Sequence, residues 1–242
     1  MKTNSSRLVW VSLLCVGTLL PAAGQVYFSE TFNTGFQGGG AIPDGSLNGW
    51  SDTRTVAGAA GSWNVTDIRV TLELSGGYNG DLYAYLSFGG ESAVLLNRVG
   101  VGESNGDVFG YADAGFSITL SAAGANNVHF YQDFSPGFDG SGRLTGTWRP
   151  DGRAIDPLSP PALFDSASTS QDFSRFTGFD PNGQWTLFVA DVSAGGGQTT
   201  MTGWGLEIMA MPQVPEPGTI TLLSLGLTVG GFVAWRRRRA VK

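Results

Sequence analysis

The chain has 242 residues, a formal net charge of −6, and a single histidine and a single cysteine. One histidine and one cysteine cannot supply the ligands of a three-histidine or cysteine-rich zinc site. Residues 25–235 contain seven arginines, no lysine and all 20 acidic residues, which gives them a net charge of −13. Such a surface repels phosphate backbones, so nucleic acid is excluded as a partner.

Residues 1–24 have the pattern of a signal peptide for Sec-type export. Two basic residues precede an apolar run, and the small residues Ala22 and Gly24 then allow cleavage before Gln25. Cys15 lies inside the apolar run. The mature protein is therefore expected to contain no cysteine and no disulfide.

The region between residues 25 and 210 is predicted to be all-β. Residues 25–40 are interpreted as an N-terminal extension, and residues 41–210 as a single antiparallel, jelly-roll-like β-sandwich. Five segments alternate apolar and polar residues with a period of two, which predicts strands with one buried face: 68–74, 82–88, 116–120, 185–189 and 204–208. Glycine-rich turns separate these segments, and no part of the region has a convincing helical period.

Several motifs in the same region are shared with one family. They lie at residues 42–44, 65–72, 78–82, 94–100, 146–150, 179–187 and 203–208. The most specific is the run from Asn182 to Leu187, followed by Asp191. In these motifs the chain resembles the P domain (P/Homo B domain), which follows the catalytic domain of subtilisin-like proprotein convertases. The resemblance implies a β-sandwich over about residues 41–209. The family's usual role, the stabilisation of an adjoining protease, has nothing to act on within this chain.

An enzymatic function is not expected. A serine, histidine and aspartate triad needs an imidazole that accepts the proton of the nucleophile, and His129 is the single candidate. No Gly-x-Ser-x-Gly motif is present, and the sequence around His129 favours a surface or core histidine. The Glu-x-Asp-x-Glu strand pattern of jelly-roll glucanases is also missing.

Two aspartates are candidate calcium ligands. Asp81 ends the glycine-rich turn 76–81, and Asp191 follows the strand predicted at 185–189. Asp81 either caps its turn through the carboxylate or, as the P-domain resemblance implies, contributes with Asp191 to a structural Ca²⁺ site. No other cofactor is expected.

Three tryptophans lie near predicted loops. Trp50, Trp63 and Trp148 either pack against the edge of the sandwich or stack on the sugar rings of a ligand. Trp185 and Trp204 lie on the apolar faces of predicted strands and are expected in the core.

The C-terminal segment has three parts in a fixed order. A linker at 211–218 contains Pro215, Glu216 and Pro217, an apolar stretch follows at 219–235, and the basic segment 236–242 closes the chain. About 17 apolar residues form a helix of about 26 Å, which is just long enough to span a bilayer. The basic residues that follow place its C-terminal end in the cytoplasm: Arg236, Arg237, Arg238 and Arg239. Alternatively, the C-terminal segment is a permanent membrane anchor and not a signal for processing.

This order of features resembles the PEP-CTERM sorting signal of Gram-negative bacteria. The resemblance implies recognition and cleavage by an exosortase-like membrane enzyme, followed by delivery to the cell surface or extracellular matrix. The expected function is a structural or adhesive role in exopolysaccharide or biofilm. The alternatives are a carbohydrate- or calcium-binding module and an accessory module for a separate secreted protease.

Overall fold

The computed structural model describes residues 25–58, 62–104 and 107–213. The predicted signal peptide and the tail from residue 214 onward, with its Pro-Glu-Pro motif, apolar stretch and arginines, lie outside the described residues. Within the described ranges, no helix has the length and apolar character needed to cross a membrane.

Ten strands and one short α-helix form the domain. In chain order they are β1 (Gln25–Phe32), β2 (Ala41–Ile42), β3 (Ser46–Val56), β4 (Trp63–Ser75), β5 (Leu82–Phe88), β6 (Glu91–Asn97), β7 (Gly115–Ser121), β8 (Leu144–Trp148), α1 (Pro161–Ser166), β9 (Gly183–Asp191) and β10 (Thr199–Pro212). The first sheet has the order β1-β10-β4-β7-β8, with β2 also paired to β10, and the second has the order β3-β9-β5-β6.

The two sheets enclose one hydrophobic core. In β5, Leu82, Ala84 and Leu86 are fully buried, whereas Tyr83 and Tyr85 between them are only partly buried. The same alternation in β4, β7 and β9 turns one face of each strand toward the core. The prediction of a β-sandwich is therefore confirmed.

Three details differ from the sequence-based expectation. Strands β7 and β8 pair in parallel, so the first sheet is not purely antiparallel. The segment interpreted as an extension contributes β1, which pairs with β10 from Gln25 to Phe32 and is part of the first sheet. The β structure also runs on to Pro212, two residues into the predicted linker.

A long segment between β8 and β9 covers the edge strand of the second sheet. The N–H groups of Asp151 and Gly152 donate to carbonyls of β6, at 3.0 Å in both cases. Further along, the Val94 N–H donates to the Gln171 carbonyl at 2.8 Å, and the Gln171 N–H donates to Gly152 at 3.0 Å. This segment therefore satisfies the free side of β6 and protects the edge of the sheet.

Candidate functional site

Three carboxylates lie at one end of the sandwich, two of them in turns and the third on the last residue of β9. Asp81 and Asp191 meet there because β5 and β9 are antiparallel, with Leu82 opposite Asp191 in the register. Asp44 is the third, and its two carboxylate oxygens accept from the Gly195 N–H at 3.1 and 3.3 Å. We call Asp44, Asp81 and Asp191 the acidic turn cluster.

Burial disfavours the charged form of two members of the cluster. The exposed fraction is 6% for Asp81 and 0% for Asp191. Burial raises the pKa of Asp81, and the nearby Arg98 guanidinium opposes this effect. Burial also raises the pKa of Asp191 to about 6; the Ser193 N–H opposes the rise, and the charges of Asp81 and Asp44 add to it.

The predicted pair is brought together, but its ligand is not shown. The Val192 N–H donates to the Asp81 carbonyl at 2.8 Å, which links the end of β9 to the turn before β5. Among residues 25–58, 62–104 and 107–213, no group of three or more His, Cys, Asp or Glu side chains has an arrangement that would hold a metal ion. Calcium binding by Asp81 and Asp191 therefore stays a prediction.

The Asp191→Asn variant should be more stable than the parent at about pH 7 and similar to it at about pH 4. The folded-state pKa of about 6 lies above the ordinary value of 3.8. The folded state therefore binds more protons between these two values, and stability falls as the pH rises through that window. An amide cannot ionise, so the variant should avoid a loss of stability on the order of 3 kcal/mol.

Thermal unfolding from about pH 4 to pH 8 measures this difference. Glu30→Gln is the matched control, because Glu30 is an exposed carboxylate on β1 in the other sheet. The control should keep the pH profile of the parent. A profile of Asp191→Asn that also stays unchanged would show that Asp191 ionises as freely in the folded protein as in the unfolded chain.

The same assay tests calcium. Millimolar Ca²⁺ should raise the melting temperature by several degrees, and Mg²⁺ should do so less because it requires a stricter octahedral site. The shift should disappear in Asp81→Asn and persist in Glu30→Gln. Equal responses to the two ions at matched ionic strength would indicate general screening of acidic repulsion and reject a specific site.

The three tryptophans predicted near loops all lie on strands, Trp50 within β3, Trp63 at the start of β4 and Trp148 at the end of β8, and they differ in their exposure. Trp50 is 6% exposed, and its indole N–H donates to the Gln37 carbonyl at 3.2 Å. Trp148 is 7% exposed and donates to the Thr145 carbonyl at 2.9 Å. Trp63 is half-buried, with its ring 5.0 Å from that of a tyrosine on β1. Burial of Trp50 and Trp148 favours packing over stacking on a sugar ring for these two indoles.

His129 lies in the interior with both ring nitrogens occupied. Its Nδ1 is 2.7 Å from Asp151 Oδ2, and its Nε2 is 2.9 Å from the Val101 carbonyl oxygen. Arg153 approaches the other oxygen of the same carboxylate at 3.0 Å. His129 and Asp151 are fully buried, and Arg153 is 5% exposed. Both ring nitrogens are therefore occupied and neither can accept a proton from a nucleophile. The same contacts connect the segments that contain Val101, His129 and Asp151.

The comparisons with known proteins identify a motif and two distant structural neighbours. The PEP-CTERM protein-sorting motif matches residues 213–239, directly after β10. A comparison with curated proteins found no match. The serine protease of Aeromonas sobria is similar at 17% identity and a TM-score of 0.43, over 79% of this chain and 28% of that chain. The complex of the same protease with its chaperone gives 15% identity and a TM-score of 0.42, over 78% and 27%.

These matches differ in what they show. The chain spans about a quarter of the length of the matched protease chains. At these TM-scores the similarity does not establish a shared fold, and the P-domain resemblance stays a prediction. The sorting motif identifies an exported protein that is targeted to exosortase, a membrane enzyme, and that has a C-terminal membrane anchor before processing.

Proposed function

We propose that this chain, which carries a PEP-CTERM motif at residues 213–239, is a non-catalytic structural or adhesive protein of the cell surface or extracellular matrix. One observation carries the proposal: the motif begins at the residue after Pro212, where β10 ends. The folded sandwich is then the delivered part, and the tail is its sorting signal. In this proposal the protein lies in the exopolysaccharide matrix of its own cell and interacts with that polysaccharide.

The described residues support a role without catalysis. His129, the single histidine, is held between a carboxylate and a carbonyl oxygen in the interior. The surface of the exported region has a large negative charge and no lysine, which favours solubility in a hydrated matrix. The proposal therefore assigns the protein a role that depends on its surface and its placement.

The mature protein should begin near Gln25 and end near the Pro-Glu-Pro motif. Both expectations follow from the two processing signals in the sequence. Intact mass spectrometry of the protein recovered from the cell surface would give both ends and any added group in one measurement. A surface form that still carries Arg236 to Arg239 would refute cleavage of the tail.

A pair of variants separates sorting from folding. Glu216→Ala should hold the protein in the inner membrane with its sandwich intact, because the central residue of Pro-Glu-Pro is lost. Glu30→Ala removes an exposed glutamate from the folded domain and should leave delivery unchanged. Normal surface delivery of Glu216→Ala would count against recognition of the motif.

A further inference from the structure

An open groove of about 560 Å³ lies on the outer face of the second sheet. Its lining combines aromatic, aliphatic and polar side chains: Leu47, Tyr83, Tyr85, Asp156, Gln171 and Phe188. We call these six residues the aromatic groove. One side is formed by residues 154–157, which belong to the segment that covers the edge of β6. Mixed aromatic and polar lining in a preformed depression is typical of small-molecule and glycan sites.

The floor of the groove is aromatic. Tyr83 and Tyr85 alternate with fully buried residues of β5 and therefore face outward. Phe188 of β9 lies opposite Tyr85 in the register, and their rings stack with centroids 4.9 Å apart and planes at 21°. The Tyr83 ring lies 5.9 Å from the Tyr85 ring. The three rings form a continuous aromatic strip across two adjacent strands.

Both the floor and the wall are held in place. A Cβ added at Gly49 would lie 2.5 Å from the Phe188 ring, which shows that this ring rests directly on the backbone of β3. On the wall, the Asn97 side-chain amide donates to the Ile155 carbonyl at 3.0 Å and to the Arg153 carbonyl at 3.4 Å. A site that is already formed loses little freedom on binding, which favours affinity.

The polar groups of the groove suit hydroxyl groups. Two phenols, one carboxylate and one amide provide donors and acceptors around the aromatic strip. A tyrosine phenol is protonated at neutral pH already at its ordinary pKa of about 10, so Tyr83 can donate a hydrogen bond. Burial, with the neighbouring Tyr85 and Asp156, raises the pKa of Tyr83 further. A pyranose ring has the complementary surface, with apolar C–H groups on its faces and hydroxyls around its edge.

Charge restricts the ligand further. Among the described residues that line the groove, Asp156 carries the only charge, and no arginine is present to pair with a sulfate, phosphate or uronate. The exported region as a whole repels polyanions. The three rings lie side by side across two strands and do not surround a point as an aromatic cage does, which also disfavours a compact cation as the ligand.

We propose that the aromatic groove binds a neutral polysaccharide chain. The proposal deepens the matrix function proposed above and rests on it for the source of the glycan. The groove lies on the sheet opposite the one that contains β10, after which the sorting motif begins. If the domain is attached through its C-terminal segment, the attachment follows β10 of the first sheet, and the groove lies on the second sheet.

Affinity electrophoresis tests the proposal with the protein in the form recovered from its cells, in detergent if it stays in the membrane. Native gels containing neutral xyloglucan or laminarin should retard the parent, and gels containing anionic alginate should not. Tyr85→Ala should weaken retardation about tenfold or more. Tyr78→Ala is the matched control, because Tyr78 is 45% exposed outside the groove, and it should bind as the parent does.

A second measurement needs no variant and covers the case in which Tyr85→Ala does not fold. N-acetylimidazole acetylates accessible tyrosines, and peptide mass spectrometry locates the modified ones. Bound neutral polysaccharide should protect Tyr83 and Tyr85 but not Tyr78. Absence of protection, equal retardation of folded Tyr85→Ala, stronger binding to alginate, or competition by tetramethylammonium would each overturn the proposal.

These outcomes are independent of sorting. A protein that is processed and delivered but binds no neutral polysaccharide would overturn the groove proposal alone. A protein that binds but keeps its tail at the cell surface would overturn the sorting prediction alone.

Discussion

Replacement of Trp185 by alanine is expected to unfold the domain or to destabilise it by about 3–5 kcal/mol. Trp185 is fully buried, and its indole N–H donates to the Pro181 carbonyl at 2.9 Å. Its ring stacks on Phe88 with centroids 4.0 Å apart and meets Phe176 at 5.2 Å. The variant removes these contacts and leaves a cavity, a large loss against the roughly 5–15 kcal/mol that holds a domain folded.

Chemical and thermal denaturation of the parent and variant would measure the effect. Trp63→Ala provides the matched comparison, because Trp63 is half-buried on the other sheet and should cost clearly less. A melting temperature of Trp185→Ala within a few degrees of the parent would mean that this indole is exposed in solution.

The second large effect is expected for Asp151→Asn, at about 3–5 kcal/mol. The Asp151 carboxylate accepts from the Arg153 side chain at 3.0 Å and from the Asn97 N–H at 3.2 Å, in addition to its contact with His129. An amide at this position leaves the buried guanidinium of Arg153 without its counter-charge. The segment that covers β6 should loosen, which limited proteolysis between residues 149 and 171 would detect.

Acid should reproduce part of this loss in the parent. Burial alone would raise the pKa of Asp151, but the charges and hydrogen bonds of His129 and Arg153 outweigh it and hold the pKa below 3.8. The resulting stabilisation is present above the ordinary pKa and is lost as the pH falls through the folded-state value. Asp151→Asn should lack this acid-dependent part, whereas Asp133→Asn, at an exposed position, should retain it. A parent-like acid transition in Asp151→Asn would contradict the assignment.

The sequence predicted the strands that have one buried face. The alternation at 82–88 coincides with β5, and those at 116–120 and 185–189 lie within β7 and β9. Strand β6 had no such signal, because residues 93–97 are all buried between the core and the covering segment. Strand β1 was missed because its residues are partly or fully exposed and show no buried periodicity.

The candidate sites were predictable to different degrees. Asp81 and Asp191 were expected to converge, and the register places Asp81, directly before β5, beside Asp191 at the end of β9. The aromatic groove was not anticipated, although Tyr83, Tyr85 and Phe188 occupy the outward positions of predicted strands. Alternation shows that such residues face away from the core, but it does not show which strands are neighbours or that a distant segment forms a wall beside them.

The pairing of β1 with β10 has a consequence for export. Gln25 lies opposite Ala210, 185 residues later in the chain, and β10 is the strand neighbour of β1 in the order β1-β10-β4. The first sheet therefore cannot close until β10 has emerged on the outer side of the membrane, at nearly the same time as the start of the sorting motif. Such a high contact order delays folding. We therefore expect the domain to complete its fold late in export, when nearly all of the chain has crossed the membrane.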